Sequence, residues 1–321
     1  MKEKKFILIL ALIIMIAGII VVFTKGKQQQ SNNEKIQIIA SNFASYDFLR
    51  AIIGDNENVE LTFLLGAGKD SHNYEPTAKD LIKIQKAKLF VYIGGETENW
   101  IEKVLAVSSN NKDAFMCITD YVETIQEQEI DGAQVEVEEE EEGAFDDHIW
   151  TSPSNAVIMV NALENKMETI DPQNKNKYKQ NAEKYIAQIN EVDSEIRDIV
   201  NRKVRNRLIF GDRMPMQYFI NYYGLEVSAV FNGCSTEVDP SASTVAYIED
   251  KVKSEKIPVV LYIELNNGRI AKTIAQEAGQ NSQAMQIQTL HNISDEDFKN
   301  GETWVSLMKR NKEPLEMALC R

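Results

Sequence analysis

One apolar stripe constrains this chain more than any other feature. Tyr178, Ala182, Tyr185, Ile189, Val192, Ile196 and Ile199 recur at alternating four- and three-residue steps, the period of a helix with one buried face. Asp171–Pro172 opens the stretch, which continues to about Lys203, a helix of roughly 45 Å at 1.5 Å per residue. The flanks carry a different, repeated pattern. Before the stripe, "KIQIIAS" (Lys35–Ser41), "VELTFLL" (Val59–Leu65) and "LFVYIG" (Leu89–Gly94) read as buried strands. Amphipathic stretches at Ala44–Ile53, Thr77–Lys86 and Glu98–Leu105 lie between and after them. Beyond the stripe the strands are "RLIF" (Arg207–Phe210), "LEVSAV" (Leu225–Val230), "PVVLYIE" (Pro258–Glu264) and "AMQIQTL" (Ala284–Leu290). Apolar strands alternating with helices build a mostly parallel sheet. The chain therefore reads as α/β: two lobes, each a mostly parallel sheet flanked by helices, joined by one long rigid helix.

The expected organisation is an anchor and polar tether over 1–34 and an N-terminal lobe over 35–170 with an acidic loop at 125–147. An inter-lobe helix over 171–205 and a C-terminal lobe over 206–321 follow. "FILILALIIMIAGIIVVF" (Phe6–Phe23) is long and apolar enough to cross a bilayer. Lys2, Lys4 and Lys5 before it hold the N-terminus on the cytoplasmic side, placing the body outside the cell. No small-x-small cleavage signal leads into a polar stretch, so the segment is expected to stay as an anchor rather than leave as a signal peptide. The first cysteine is Cys117, too late for lipid attachment after the apolar run. Cys117, Cys234 and Cys320 form no spaced pair, which removes CxxC metal or redox chemistry and a disulfide framework. A formal charge of −14 argues against nucleic acid as a partner and suits a monomeric body that attracts cations.

Only three histidines occur: His72, His148 and His291. Thr77 with Asp80 is a capping pair that starts a helix, so His72 lies in the loop before it. Ser152 as N-cap with Pro153 at the first helical position starts another, and His148 lies just ahead of that one. His291 follows the last strand. A lone loop histidine is usually a surface residue. Here all three fall at element ends, where α/β proteins place ligand sites.

These residues resemble the metal-binding solute-binding proteins of bacterial zinc and manganese ABC transporters. "DSHNYEPTAKDL" (Asp70–Leu81) is similar to that family's first metal motif, with His72 as ligand, and "DDHIWTSP" (Asp146–Pro153) to its second, with His148. The acidic run ahead of His148 occupies the slot of the family's variable loop, and the long helix matches its rigid backbone helix. The resemblance implies an extracytoplasmic protein that captures metal between two lobes and delivers it to an ABC permease, with no reaction catalysed. The C-terminal lobe departs from the pattern: "IFGDRMP" has Gly211 where the family ends this strand with a ligand histidine. His291 is the strongest replacement candidate, with Glu237 as fourth ligand ahead of Cys234 and Asp212. Three imidazoles and one anionic ligand suit tetrahedral Zn2+ better than Mn2+, which prefers more oxygen. Glu136 and Glu138–Glu142, with Asp146 and Asp147, would concentrate cations at the cleft. Two rival readings are a zinc enzyme using the three histidines around an open position, and a same-fold binding protein or adhesin without metal transport.

Overall fold

The computed structural model describes residues 35–69, 71, 74–95, 98–107, 112–133, 145–232, 239–279 and 281–321. The apolar run Phe6–Phe23, His72, Cys234, Glu237 and Glu136–Glu142 lie outside them. Among the described residues no helix is long and apolar enough to cross a membrane.

Two four-stranded sheets form. The first has strands β1 (Ile36–Ala40), β2 (Val59–Phe63), β3 (Leu89–Tyr92) and β4 (Phe115–Cys117) in the order β2-β1-β3-β4. The second has β5 (Arg207–Phe210), β6 (Glu226–Ala229), β7 (Val259–Ile263) and β8 (Gln283–Ile287) in the order β6-β5-β7-β8. β3 pairs in parallel with β1 and β4, and β5–β8 are parallel throughout. Parallel strands need helical crossovers. In the first lobe these are α1 (Phe43–Ile53), α2 (Ala78–Lys86) and α3 (Trp100–Val107). Then come α4 (Pro153–Ile170) and the long α5 (Lys175–Asn201). The second lobe adds α6 (Gln217–Tyr223), α7 (Ala242–Ser254) and α8 (Arg269–Ala278). The chain ends in α9 (Asp295–Lys299), α10 (Trp304–Arg310) and α11 (Lys312–Cys320). The short strand β4 was not expected from the sequence.

Local chemistry explains the helix starts. The Thr77 hydroxyl accepts from Asp80 N while the Asp80 carboxylate accepts from Thr77 N, closing a capping box. α4 begins at Pro153 as the sequence predicts, but Ser152 makes no cap bond and its hydroxyl meets Ser154 Oγ at 2.9 Å instead. All seven stripe residues of α5 are buried. Pro172–Asn174 forms a separate 3-10 turn, so α5 starts at Lys175, later than the expected opening at Asp171–Pro172.

Asp47 on α1 ties the elements together. It is 1% exposed, and its carboxylate accepts from Trp304 N of α10 at 2.7 Å, from Tyr185 OH of α5 and from Arg50 Nε at 3.1 Å. A second cross-connection runs along Ile125–Asp131. Gln217 of α6 bonds Gln126 O and Gln128 N, Asn232 bonds Ile130 N, and Asp131 bridges to Ser228 of β6. The Asp131 carboxylate accepts from Ser228 Oγ at 2.8 Å, Tyr247 OH at 2.7 Å, Arg207 and Lys251. Burial pushes the Asp131 carboxyl up, but the Lys251, Tyr247 and Ser228 hydrogen bonds outweigh it and hold its pKa at about 2.

Two stability predictions follow from these carboxylates. Asp47→Ala leaves the Trp304 amide and Tyr185 hydroxyl without their acceptor, and should cost about 3–5 kcal/mol in denaturant unfolding. For Asp131 the folded pKa lies below the unfolded value of about 3.9. Its contribution is therefore complete above that value and lost as pH falls towards 2. Asp131→Asn should melt below wild type at pH 6, and the gap should narrow as melts are repeated towards pH 3. A gap that stays constant would contradict this assignment.

Candidate metal centre

Parallel strands put all their C-terminal ends on one edge, and the loops leaving those ends carry the candidate residues. His148 enters through the turn before α4. The Asp146 carboxylate accepts from His148 N at 2.7 Å and faces the ring Nδ1 at 2.8 Å through the same oxygen. An acid two residues ahead thus closes an Asx turn and orients the imidazole. Asp147 Oδ1 lies 3.2 Å from the same Nδ1. Carboxylates at Nδ1 favour a proton on that nitrogen, which leaves Nε2 for a metal, the arrangement of metal-binding histidines. Among the described residues, Asp146, Asp147 and His148 form a buried cluster of potential metal-ligating groups. Asp146 and Asp147 are each 4% exposed, so they do not belong to the solvated cation-steering run. That expectation is corrected: they are partners of the histidine. Gly95 makes room for them, with a positive φ of 88° and space where a Cβ would sit 2.8 Å from Asp147 Cβ.

His291 lies in the loop after β8. Glu264, buried just past the end of β7, organises that loop. Its carboxylate accepts from Thr289 N at 2.7 Å, Thr289 Oγ1 at 2.8 Å and His291 N at 2.9 Å. Burial raises the Glu264 pKa, and the Thr289 donors oppose the rise. Leu290 adopts a left-handed φ of 59° between the two bonded residues, a conformation held by the surrounding contacts. The His291 ring then reaches the other lobe, where Nε2 meets Ser71 Oγ at 2.8 Å. His148 and His291 have ring centroids 5.3 Å apart. Two imidazoles sharing one tetrahedral ion through ~2.1 Å bonds place their centroids about 5 Å apart. The spacing fits a shared ion. Trp150, which follows His148, donates its Nε1 to Thr289 O at 3.0 Å, so each histidine's loop grips the other's.

Of the sequence candidates, His148 and His291 are brought together. His72 follows Ser71, and Ser71 itself touches His291; His72, Glu237 and Cys234 lie outside the described residues. Asp212 is 2% exposed and accepts from Arg213 N at 2.8 Å and Ile263 N at 3.2 Å, so it serves the loop–strand junction. Gly211 is explained by packing. A Cβ there would fall 2.5 Å from Ala271 Cα on α8, so the strand end has no room for the family's histidine. Glu264, Asp146 and Asp147 were missed as supporting residues. Their sequence signals are an acid closing an apolar strand and acids directly before a loop histidine.

Two parallel-sheet α/β lobes joined by a long helix, with imidazoles meeting across the cleft, define the class of extracytoplasmic metal-binding solute-binding proteins. The family model for ZnuA, the periplasmic component A of a zinc-uptake complex, matches residues 38–318, and the chain belongs to that family. It is 29% identical over 289 residues to the zinc-binding lipoprotein AdcA of Streptococcus pneumoniae (strain ATCC BAA-255 / R6), covering 90% of this chain and 56% of that protein. The chain thus spans little more than half the length of that relative. To the high-affinity zinc uptake system protein ZnuA of Bacillus subtilis (strain 168) it is 26% identical, covering 92% of this chain and 91% of that one. The Zn(II)-bound ZnuA-like domain of Streptococcus pneumoniae AdcA superposes with a TM-score of 0.74 at 26% identity, covering 89% of this chain and 100% of that one. The metal-dependent lipoprotein YcdH from Bacillus subtilis also gives 0.74, at 24% identity with the same coverages, a likeness of fold. These relatives carry binding and uptake names, and the zinc-enzyme reading falls.

The Gly211 packing generates a prediction. Gly211→Ala should lower stability by about 1–3 kcal/mol through overpacking against α8, measured by denaturant unfolding. Gly211→His should be worse, and should not restore zinc binding to a His291 variant.

Proposed function

We propose that this chain captures Zn2+ in the cleft between its lobes and delivers it to an ABC permease from the outer face of the membrane. His72, His148, His291 and Glu237 are the proposed ligands, with zinc favoured over manganese by the nitrogen-rich set. The observation that carries this reading is the 5.3 Å approach of the His148 and His291 rings, with His148 Nδ1 held by Asp146. His72 joins them in this proposal because it follows Ser71, which contacts His291. The names of the zinc-binding relatives support the choice of ion. Phe6–Phe23 serves as the membrane anchor in this reading, and the body acts as a monomer.

The acidic run Glu136–Glu142 has a place in the same scheme. Its flanks are fixed: Gln126 bridges to Phe145, Asp146 N donates to Ile125 O, and Tyr218 OH bonds Ile125 N and Asp146 O. A run of carboxylates rooted beside His148 raises the local cation concentration at the cleft.

Titration calorimetry on the purified chain tests the proposal. One zinc should bind, and His148→Ala and His291→Ala should each weaken it beyond the ~10–100-fold typical of outer-shell partners. Variants that bind zinc like wild type would place the site elsewhere.

A further inference from the structure

The loop Gly66–Ser71 ends one residue before His72, and it is gripped by the opposite lobe. Asn292, next to His291, is 1% exposed. Its side-chain amide nitrogen donates to Gly66 O at 3.3 Å and to Lys69 O. Its Oδ1 accepts from Ile293 N at 2.7 Å within its own loop. Gly68 N adds a backbone bond to Ile293 O at 2.8 Å. Gly66 and Gly68 have φ of 77° and 71°, left-handed values that curl the loop and turn two carbonyls onto one donor. An amide nitrogen has two protons, and here each has a backbone carbonyl acceptor.

From this geometry we propose that Asn292 is the positioning residue that retains bound metal, its side-chain amide latching the loop that leads to His72 onto the loop that carries His291. The inference rests on the zinc-capture reading. An ion with ligands from both lobes escapes when the lobes part, so a latch between two ligand-bearing loops acts on release. Capture begins from separated lobes, before the latch exists, and depends on it less. The same side chain fixes its own loop through Oδ1, so the two roles are separable by substitution. Asn292→Asp keeps the size and the Ile293 acceptor. It replaces the donor with an oxygen facing the carbonyls of Gly66 and Lys69, and a buried acceptor against two acceptors repels.

The test is stopped-flow zinc release from the full-length chain into excess chelator, with association measured alongside. Asn292→Asp and Asn292→Ala should both release zinc about tenfold faster, the scale of an outer-shell partner, while association stays within about twofold. Melting of the metal-free variants reads general destabilisation separately, and a merely structural role would not concentrate the effect in the release rate. Wild-type release from both variants, with fast release from His291→Ala, would overturn the latch while leaving the zinc site standing. Wild-type release from His291→Ala as well would overturn the zinc reading and the latch with it.

Discussion

A buried carboxylate holds the frame on which everything else depends. Asp47 takes donors from α1 itself, from α5 through Tyr185 and from α10 through the Trp304 amide. A carboxylate with 1% exposure is costly to bury unless its lone pairs are filled, so these donors tie the three elements together. α5 is in turn buried along its whole stripe. A first-lobe helix, the long helix and the C-terminal segment are thereby fastened at one point. The Trp304 indole continues the connection to Trp150 O, one bond from the turn that carries His148. In the proposed function, closure around an ion would then be limited to small rocking of loops and lobes, because a wide hinge would break the Asp47 node.

The proposed metal centre depends on that frame through supporting groups. His148 is aimed by Asp146 and Asp147, and the loop bearing His291 is shaped by Glu264. Each histidine is held by a carboxylate, but in a different way. At His148 the acid bonds the ring and sets its tautomer. At His291 the acid bonds the backbone and sets the loop. Predicted ligand variants therefore read only part of the design, since a ring can be present and still be misdirected.

Much of the fold was legible because it rests on local periodicity. Tyr178 to Ile199 announced α5, and all seven residues are buried. Strand β5 occupies the four residues the sequence marked, while β4 was missed because Phe115–Cys117 is too short to show a period. The helix starts at Thr77 and Pro153 were readable from capping chemistry, and they correctly put His148 in a loop. What could not be read was tertiary. Asp146 and Asp147 looked like the end of a solvated acidic run, and only burial reveals them as partners of the imidazole. Gly211 looked like a missing ligand, and its reason, Ala271, lies on a helix whose approach no local pattern encodes.

Gly211 also explains why the second lobe offers its histidine from a loop. With α8 pressed against the end of β5, no side chain fits there, and a metal-facing group must come from a neighbouring strand end. β6 and β7 flank β5, with β8 beyond β7, and the chain leaving β6 leads to the proposed ligand Glu237. Glu264 directly follows β7; burial raises its pKa, and its oxygens are occupied by Thr289 and His291 amide donors. That carboxylate is already committed to shaping the loop after β8, and that loop brings His291 to the other lobe. An imidazole suits this place because its nitrogen can meet an ion while the His291 backbone N–H is held by Glu264. In the proposed centre the acids would stay behind the rings, and nitrogen would be presented to the ion. A centre built this way favours zinc through its donor atoms as well as its geometry.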